Sequence, residues 1–196
     1  MMEKFLPVGR FDDFRCSGDS ILLLSGPPSS GKTSLAFQFA INSAIAGDRN
    51  VVFICNRRKL ESKPPYLAQG IDPCSDVINR IQMKNCQERY NNTRGRDLAM
   101  VRVLALCHNA IMYANEKGPC QLLLSDTHNG DSPRLLYLYK RWVSSIYTIK
   151  GDGFGSYLIR SLGVAKSATT KLAKYSIALQ YLVYEGITED EEQSDE

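Results

Sequence analysis

Histidine is scarce in this chain and cysteine is scattered. Only His108 and His128 occur, and none of the six cysteines stands in a CxxC pair. No zinc-site spacing is present, and the thiols read as free groups of a reducing compartment. Long apolar runs are missing too: none approaches the roughly 18 residues that span a bilayer. The opening segment MMEKFLPVGRFDDF has an early acid and no apolar stretch before a small-residue cleavage site. Neither a membrane partner nor a secretory leader is expected. There is no NKxD element, and DTHNG is one residue too long for DxxG, which disfavours a guanine-nucleotide enzyme. Internal repeats and low-complexity linkers are absent. What is present is 196 residues, 43% hydrophobic, enough for one core. We therefore expect a single domain over residues 1–187 and an acidic tail over 188–196.

The net charge of +3 hides an asymmetry. The last eight residues, EDEEQSDE, hold six of the 21 acids, so the rest of the chain sets 24 bases against 15 acids, a balance of +9. A basic body with an acidic tail suits a polyanionic partner, and it also suits a solvated tail on a mildly basic protein. With nothing apolar to bury, the tail is expected to lack fixed structure.

Short apolar runs at 21–24, 51–55 and 122–124 have the length of strands buried on both faces. Helical patterns separate them at 32–46 and 96–114, and a further one covers 133–149. His108, inside the second pattern, reads as a core-edge residue before a ligand. The segment 56–95 is turn-rich, with a short helical or strand piece near 77–83. GDGFGSYLIRSLGV and YSIALQYLVYEG supply later strands. Alternating strands and helices predict an α/β fold with a mostly parallel central sheet flanked by helices.

LLLSGPPSSGKTSL, residues 22–35, carries the sharpest signal. Gly26, Gly31, Lys32 and Thr33 fit GxxxxGK[ST], the P-loop of nucleoside-triphosphate-binding proteins. A strand must turn so that successive backbone N–H groups converge on phosphate oxygens, and small residues permit that approach. Gly26, Ser29, Ser30, Gly31, Lys32, Thr33 and Ser34 would form the ATP cradle. Lys32 would bridge the β- and γ-phosphates, and Thr33 would ligate Mg²⁺. In CQLLLSDTHN an apolar strand ends in Asp126, the position of a Walker B acid that holds Mg²⁺ through water. Lys32 and Asp126 are the catalytic candidates. Ser125, His128 and Asp131 read as loop polar groups.

GPPSSGKTSL is similar to the P-loop of RecA-family recombinases. VVFICNRRKLESKPP followed by IDPCSDVINRIQM resembles the divergent recombinase paralogues that associate with SWIM-type zinc-finger proteins in Shu-type recombination complexes. The resemblance covers roughly residues 18–130. It implies a RecA-like P-loop core, a nuclear location, single-stranded DNA binding, weak ATP hydrolysis, and assistance to recombinase filaments in homologous recombination repair. It also implies as partners a SWIM-domain zinc-finger protein and the recombinase or its paralogues. RecA-type ATPases carry a water-orienting glutamate shortly after the second strand. Here that position falls near Asn56 or Arg57, with Glu61 four residues late, so the catalytic glutamate is read as lost and the ATPase as slow.

Residues 133–174 are basic, with one acid, Asp152, and aromatics interleaved. Cations neutralise phosphates while aromatic rings stack on unpaired bases. Arg160, Lys166, Lys171 and Lys174 are the DNA-binding candidates, and KGDGFGS has the glycine content of a mobile DNA loop. Trp142 shares helical spacing with Leu135 and Leu138 and reads as core. Two other functions remain open on these residues: an interaction scaffold that keeps its P-loop with little turnover, and a P-loop small-molecule kinase.

Overall fold

The computed structural model describes residues 2–6, 20–46, 50–72, 74–86, 93–130, 132–133, 135–162 and 170–190. Strands are β1 (Ile21–Gly26), β2 (Val51–Cys55), β3 (Leu67–Ala68), β4 (Ile81–Asn85), β5 (Leu122–Thr127), β6 (Ser145–Gly151), β7 (Ser156–Leu162), β8 (Thr170–Ala178) and β9 (Tyr181–Asp190). Helices are α1 (Lys32–Ile45), α2 (Arg57–Ser62), α3 (Asp76–Asn79), α4 (Thr93–Lys117) and α5 (Leu136–Trp142), preceded by a 3-10 turn at Met2–Phe5. Seven strands form one sheet in the order β3-β9-β8-β7-β6-β1-β5, and β2 pairs with β4 separately.

β1 organises the sheet because every one of its residues is buried. Leu22 and Leu24 enter one core with Phe5, Leu35, Phe39, Tyr147 and Tyr175. Ile21 and Leu23 enter the other with Leu104, Tyr139, Val143 and Ile146. Each fully buried leucine is worth about 2 kcal/mol, so this strand fixes where the loop after Gly26 begins. Parallel partners flank it, β5 on one side and β6 on the other. The N-terminal turn is tied to α1 through Asn42, whose amide donates to the carbonyls of Lys4 and Leu6.

The sheet is mixed, which corrects the expectation of a mostly parallel one. From β6 to β9 all pairings are antiparallel, and for β6–β7 and β8–β9 the cause is plain: the connections at 152–155 and 179–180 are hairpin turns too short for a crossover. The helix expected over 133–149 stops at Trp142. Ile146–Ile149 are instead buried in β6, between β1 and β7. Leu135, Leu138, Trp142 and Ile146 keep helical spacing across that boundary, but β-branched residues on a doubly buried path favour a strand. β2 is exposed at alternate residues rather than buried on both faces. The KGDGFGS segment is the ordered β6–β7 turn, with Asp152 Oδ1 accepting from the N–H groups of Phe154 (2.8 Å) and Ser156 (3.0 Å). β9 runs through Thr188, Glu189 and Asp190, the start of the segment expected to be tail. Within α4, Asp97–Lys117 is long and apolar enough to cross a membrane by length and composition. Its apolar run is nevertheless interrupted, by Arg102, His108 and Asn109.

Candidate nucleotide site

The loop after β1 takes its shape from two tight approaches and two left-handed residues. A Cβ on Gly26 would sit 2.7 Å from Ile149 Cβ, and one on Gly31 would sit 2.7 Å from Ile177 Cδ1. Ser29 (φ 62°) and Gly31 (φ 76°) adopt positive φ. α1 then starts at Lys32 with no side-chain cap and no acid in its first turn. The first N–H groups of a helix have no intrahelical partner, and its dipole places positive potential there. An anion is the natural complement of such an end on a 14-residue helix.

Lys32 is buried and its ammonium donates to the carbonyls of Gly26 (3.0 Å) and Pro27 (2.6 Å). Burial lowers its pKa below the ordinary lysine value, and the charge of Asp126 works in the opposite direction. Thr33 is exposed at the mouth of the loop. Ser34 is buried and its Oγ accepts the N–H of Tyr66 at 2.9 Å, so it fastens the segment before β3 to α1. Ser30 is buried and Ser29 exposed.

Asp126 stands beside Ser25 in the parallel β1–β5 register, one residue before Gly26. The Tyr139 hydroxyl, on α5, hydrogen-bonds its carboxylate; burial first, then that carboxylate, hold the phenol well above its ordinary pKa. His128 lies in the loop directly after β5, as expected, but is not a solvent-facing polar group. It is buried, its Nδ1 lies 2.7 Å from Ser25 Oγ, and its N–H donates to Gly26 O at 3.1 Å. It therefore ties the end of β5 to the start of the loop. From the far side, the Tyr175 hydroxyl donates to Ser30 O at 2.5 Å and the Tyr157 hydroxyl to Ser29 O at 3.4 Å. Sequence reasoning missed Tyr139, His128, Tyr157 and Tyr175. The only trace is their polar aromatic chemistry, on otherwise apolar elements for the three tyrosines and just past a strand end for His128.

Asp126 is thus near enough to act on the charge of Lys32, and Thr33 is exposed beside Lys32 in sequence. Among the described residues no group of three or more His, Cys, Asp or Glu could hold a metal by itself. A magnesium ion fits this donor set only in company with phosphate oxygens, as in P-loop proteins generally, where a hydroxyl and one acid suffice. After β2, Asn56 caps α2 by accepting the Lys59 N–H at 3.2 Å. Glu61 is exposed and paired with Arg57 at 2.8 Å.

The DNA-binding candidates separate. Arg160 sits mid-strand in β7, opposite Thr148 and Leu172. Lys174 bridges Asp152 (3.3 Å) and Glu185 (3.4 Å), which makes it a brace for the β6–β7 turn. Lys166 lies outside the described residues, and Lys171 is described only in its backbone, opposite Glu189. Trp142 packs at the core as expected, edge-on to His108 at 5.5 Å. Tyr139 and Tyr147 are also buried, leaving Tyr137 and Phe154 as outward-facing rings.

No protein-family model and no curated protein matches the chain. Solved structures do. The RadB recombinase superposes with a TM-score of 0.55 at 13% identity, over 83% of this chain and 89% of that one. The fold is RecA-like. A KaiC-like protein from the hyperthermophilic archaeon Pyrococcus horikoshii OT3 gives 0.51 at 14% identity, over 85% and 89%.

Proposed function

We propose that this chain is a slow ATPase of recombinase-paralogue type that binds Mg²⁺·ATP at the β1–α1 loop and acts with single-stranded DNA in homologous recombination repair. The observation that carries the nucleotide reading is the geometry of that loop. Gly26 has no room for a side chain, Gly31 holds a left-handed backbone that favours glycine, an uncapped helix end follows, and a buried lysine donates to two carbonyls of the turn. Lys32 exchanges those carbonyls for phosphate oxygens, while Thr33 and Asp126 hold the ion. Mg²⁺ supplies charge neutralisation at the phosphates when bound. Tyr139 keeps the Asp126 carboxylate oriented by donating to it.

Slow turnover is supported by what stands after β2: Asn56 is used as a helix cap, and Glu61 is an exposed partner of Arg57. No carboxylate is thereby committed to orienting water. The same fact favours the second reading, a nucleotide-binding scaffold with little turnover. The resemblance to recombinase paralogues supports a nuclear location and partnership with a SWIM-domain zinc-finger protein and a recombinase or its paralogues, and the lack of an uninterrupted apolar run of spanning length supports the absence of a membrane partner. The basic stretch 133–174 supports contact with single-stranded DNA, carried by Arg160, Lys166 and Lys171, with Lys174 engaged within the protein.

Phosphate release from ATP, measured with and without single-stranded DNA, tests the reading. DNA-stimulated release is expected. ATP binding with no release under either condition favours the scaffold, and release that requires an added small-molecule acceptor favours a kinase.

A further inference from the structure

Tyr157 and Tyr175 face each other in the antiparallel β7–β8 register. Their rings stack with centroids 5.4 Å apart and planes 24° from parallel. Both hydroxyls reach out of the sheet to consecutive carbonyls of the loop, Ser29 and Ser30. A trans peptide is planar, with its C=O and N–H on opposite sides. A carbonyl fixed toward a tyrosine therefore turns the following N–H away from it. Tyr175 sets the Gly31 N–H in this way; Tyr157 holds the Ser29 carbonyl through a longer bond, and the Ser30 N–H that follows it donates within the turn to Pro27 O at 3.4 Å. The Gly31 N–H is an amide a phosphate-binding loop must turn inward to meet anionic oxygens. The same strand β8 presses on the loop a second time, through Ile177 against Gly31. Tyr175 is fully buried, so its hydroxyl has little choice of acceptor.

We propose that Tyr175, assisted by Tyr157, is a positioning residue that presets the peptide planes of the phosphate-binding loop, so that the Gly31 N–H points toward the bound phosphates. The proposal rests on the nucleotide-binding reading of the loop. It makes the C-terminal antiparallel strands part of the nucleotide site, through two hydroxyls that contact no ligand themselves. Without the Tyr175 hydroxyl the Ser30 carbonyl loses a buried donor, and the peptide can rotate to seek another.

Tyr175→Phe keeps the ring, the stack and the volume and removes only the donor. Mg²⁺·ADP and inorganic pyrophosphate are titrated into wild type, Tyr175→Phe and Tyr157→Phe, and the Gly31 amide is followed by ¹⁵N–¹H correlation. Tyr175→Phe is expected to weaken both ligands by about tenfold, the scale of one lost buried hydrogen bond. It should also shrink the shift of the Gly31 amide on binding. Tyr157→Phe should act in the same direction by less, because its bond is longer. Wild-type affinity and a wild-type Gly31 shift in Tyr175→Phe overturn the proposal while leaving the nucleotide reading standing. So does a lowered melting temperature with both binding readouts unchanged, the mark of a merely structural role. If wild type takes up neither ligand, the nucleotide reading fails and the positioning role falls with it.

Discussion

Lys32 shows how burial becomes an observable at the scale of one residue. Its pKa is depressed below 10.5 by desolvation, against the pull of Asp126. In the free protein the charged form is therefore penalised, and folding stability rises with pH from the depressed folded value toward 10.5, where the unfolded chain holds more protons. Phosphates arriving beside the ammonium favour the charged form and raise the pKa again. Nucleotide binding just below pH 10.5 should therefore take up a proton. Calorimetry in two buffers of different ionisation enthalpy checks this; Lys32→Met should remove the excess, and buffer-independent heat in wild type would contradict it. Gly31→Ala should abolish nucleotide binding, because its Cβ meets Ile177 Cδ1 at 2.7 Å on a backbone with φ 76°; titration of the folded variant decides. The loop was legible in the sequence because its constraint is local, small residues and a lysine at fixed spacing. Tyr139, His128 and Tyr175 were not, since each acts across more than ten residues of chain, on a partner fixed only by the packed sheet.

Elements were legible where periodicity was unambiguous, as in β1 and α1, and failed where one pattern served two structures. The apolar spacing from Leu135 to Ile146 continues through a helix and then a strand, and only the vacancy beside β1 decides that the later half becomes β6. The β8–β9 turn was hidden for a different reason. It has neither glycine nor asparagine, yet Leu179 (φ 48°) and Gln180 (φ 66°) are both left-handed. Such residues cost about 1 kcal/mol or more each in that region. Replacing Leu179-Gln180 by Asn-Gly should raise the unfolding free energy by about 1 kcal/mol, read from the midpoint of chemical denaturation. The β6–β7 turn depends instead on Asp152, whose pKa is lowered chiefly by the Phe154 N–H, and on Glu185, lowered chiefly by the Ser176 hydroxyl. Their contributions are present above the ordinary carboxylate values of 3.8 and 4.5 and are lost as pH falls through the depressed ones. Asp152→Ala should speed hydrogen exchange at the Phe154 and Ser156 amides while leaving exchange in β1 unchanged.

At the scale of the whole molecule, charge asymmetry is what the sequence states most plainly. The mixed sheet is what it concealed, because strand direction depends on turn length rather than on apolar content. If the basic body meets single-stranded DNA, log K should fall with log salt at a slope of about −0.7 per phosphate contact. Lys166→Ala with Lys171→Ala should flatten that slope. Removing residues 191–196, which spares the β9 pairing that ends at Asp190, should tighten binding at low salt and converge with the full chain as screening shortens the reach of the acids. All of this is built on one claim, that the loop between β1 and α1 holds the phosphates of a nucleotide. Titration of Mg²⁺·ATP into wild type and Lys32→Ala tests it most directly: saturable binding by wild type and weakening of about tenfold or more in the folded variant are predicted, whereas equal affinity, or no binding by wild type, would contradict the account.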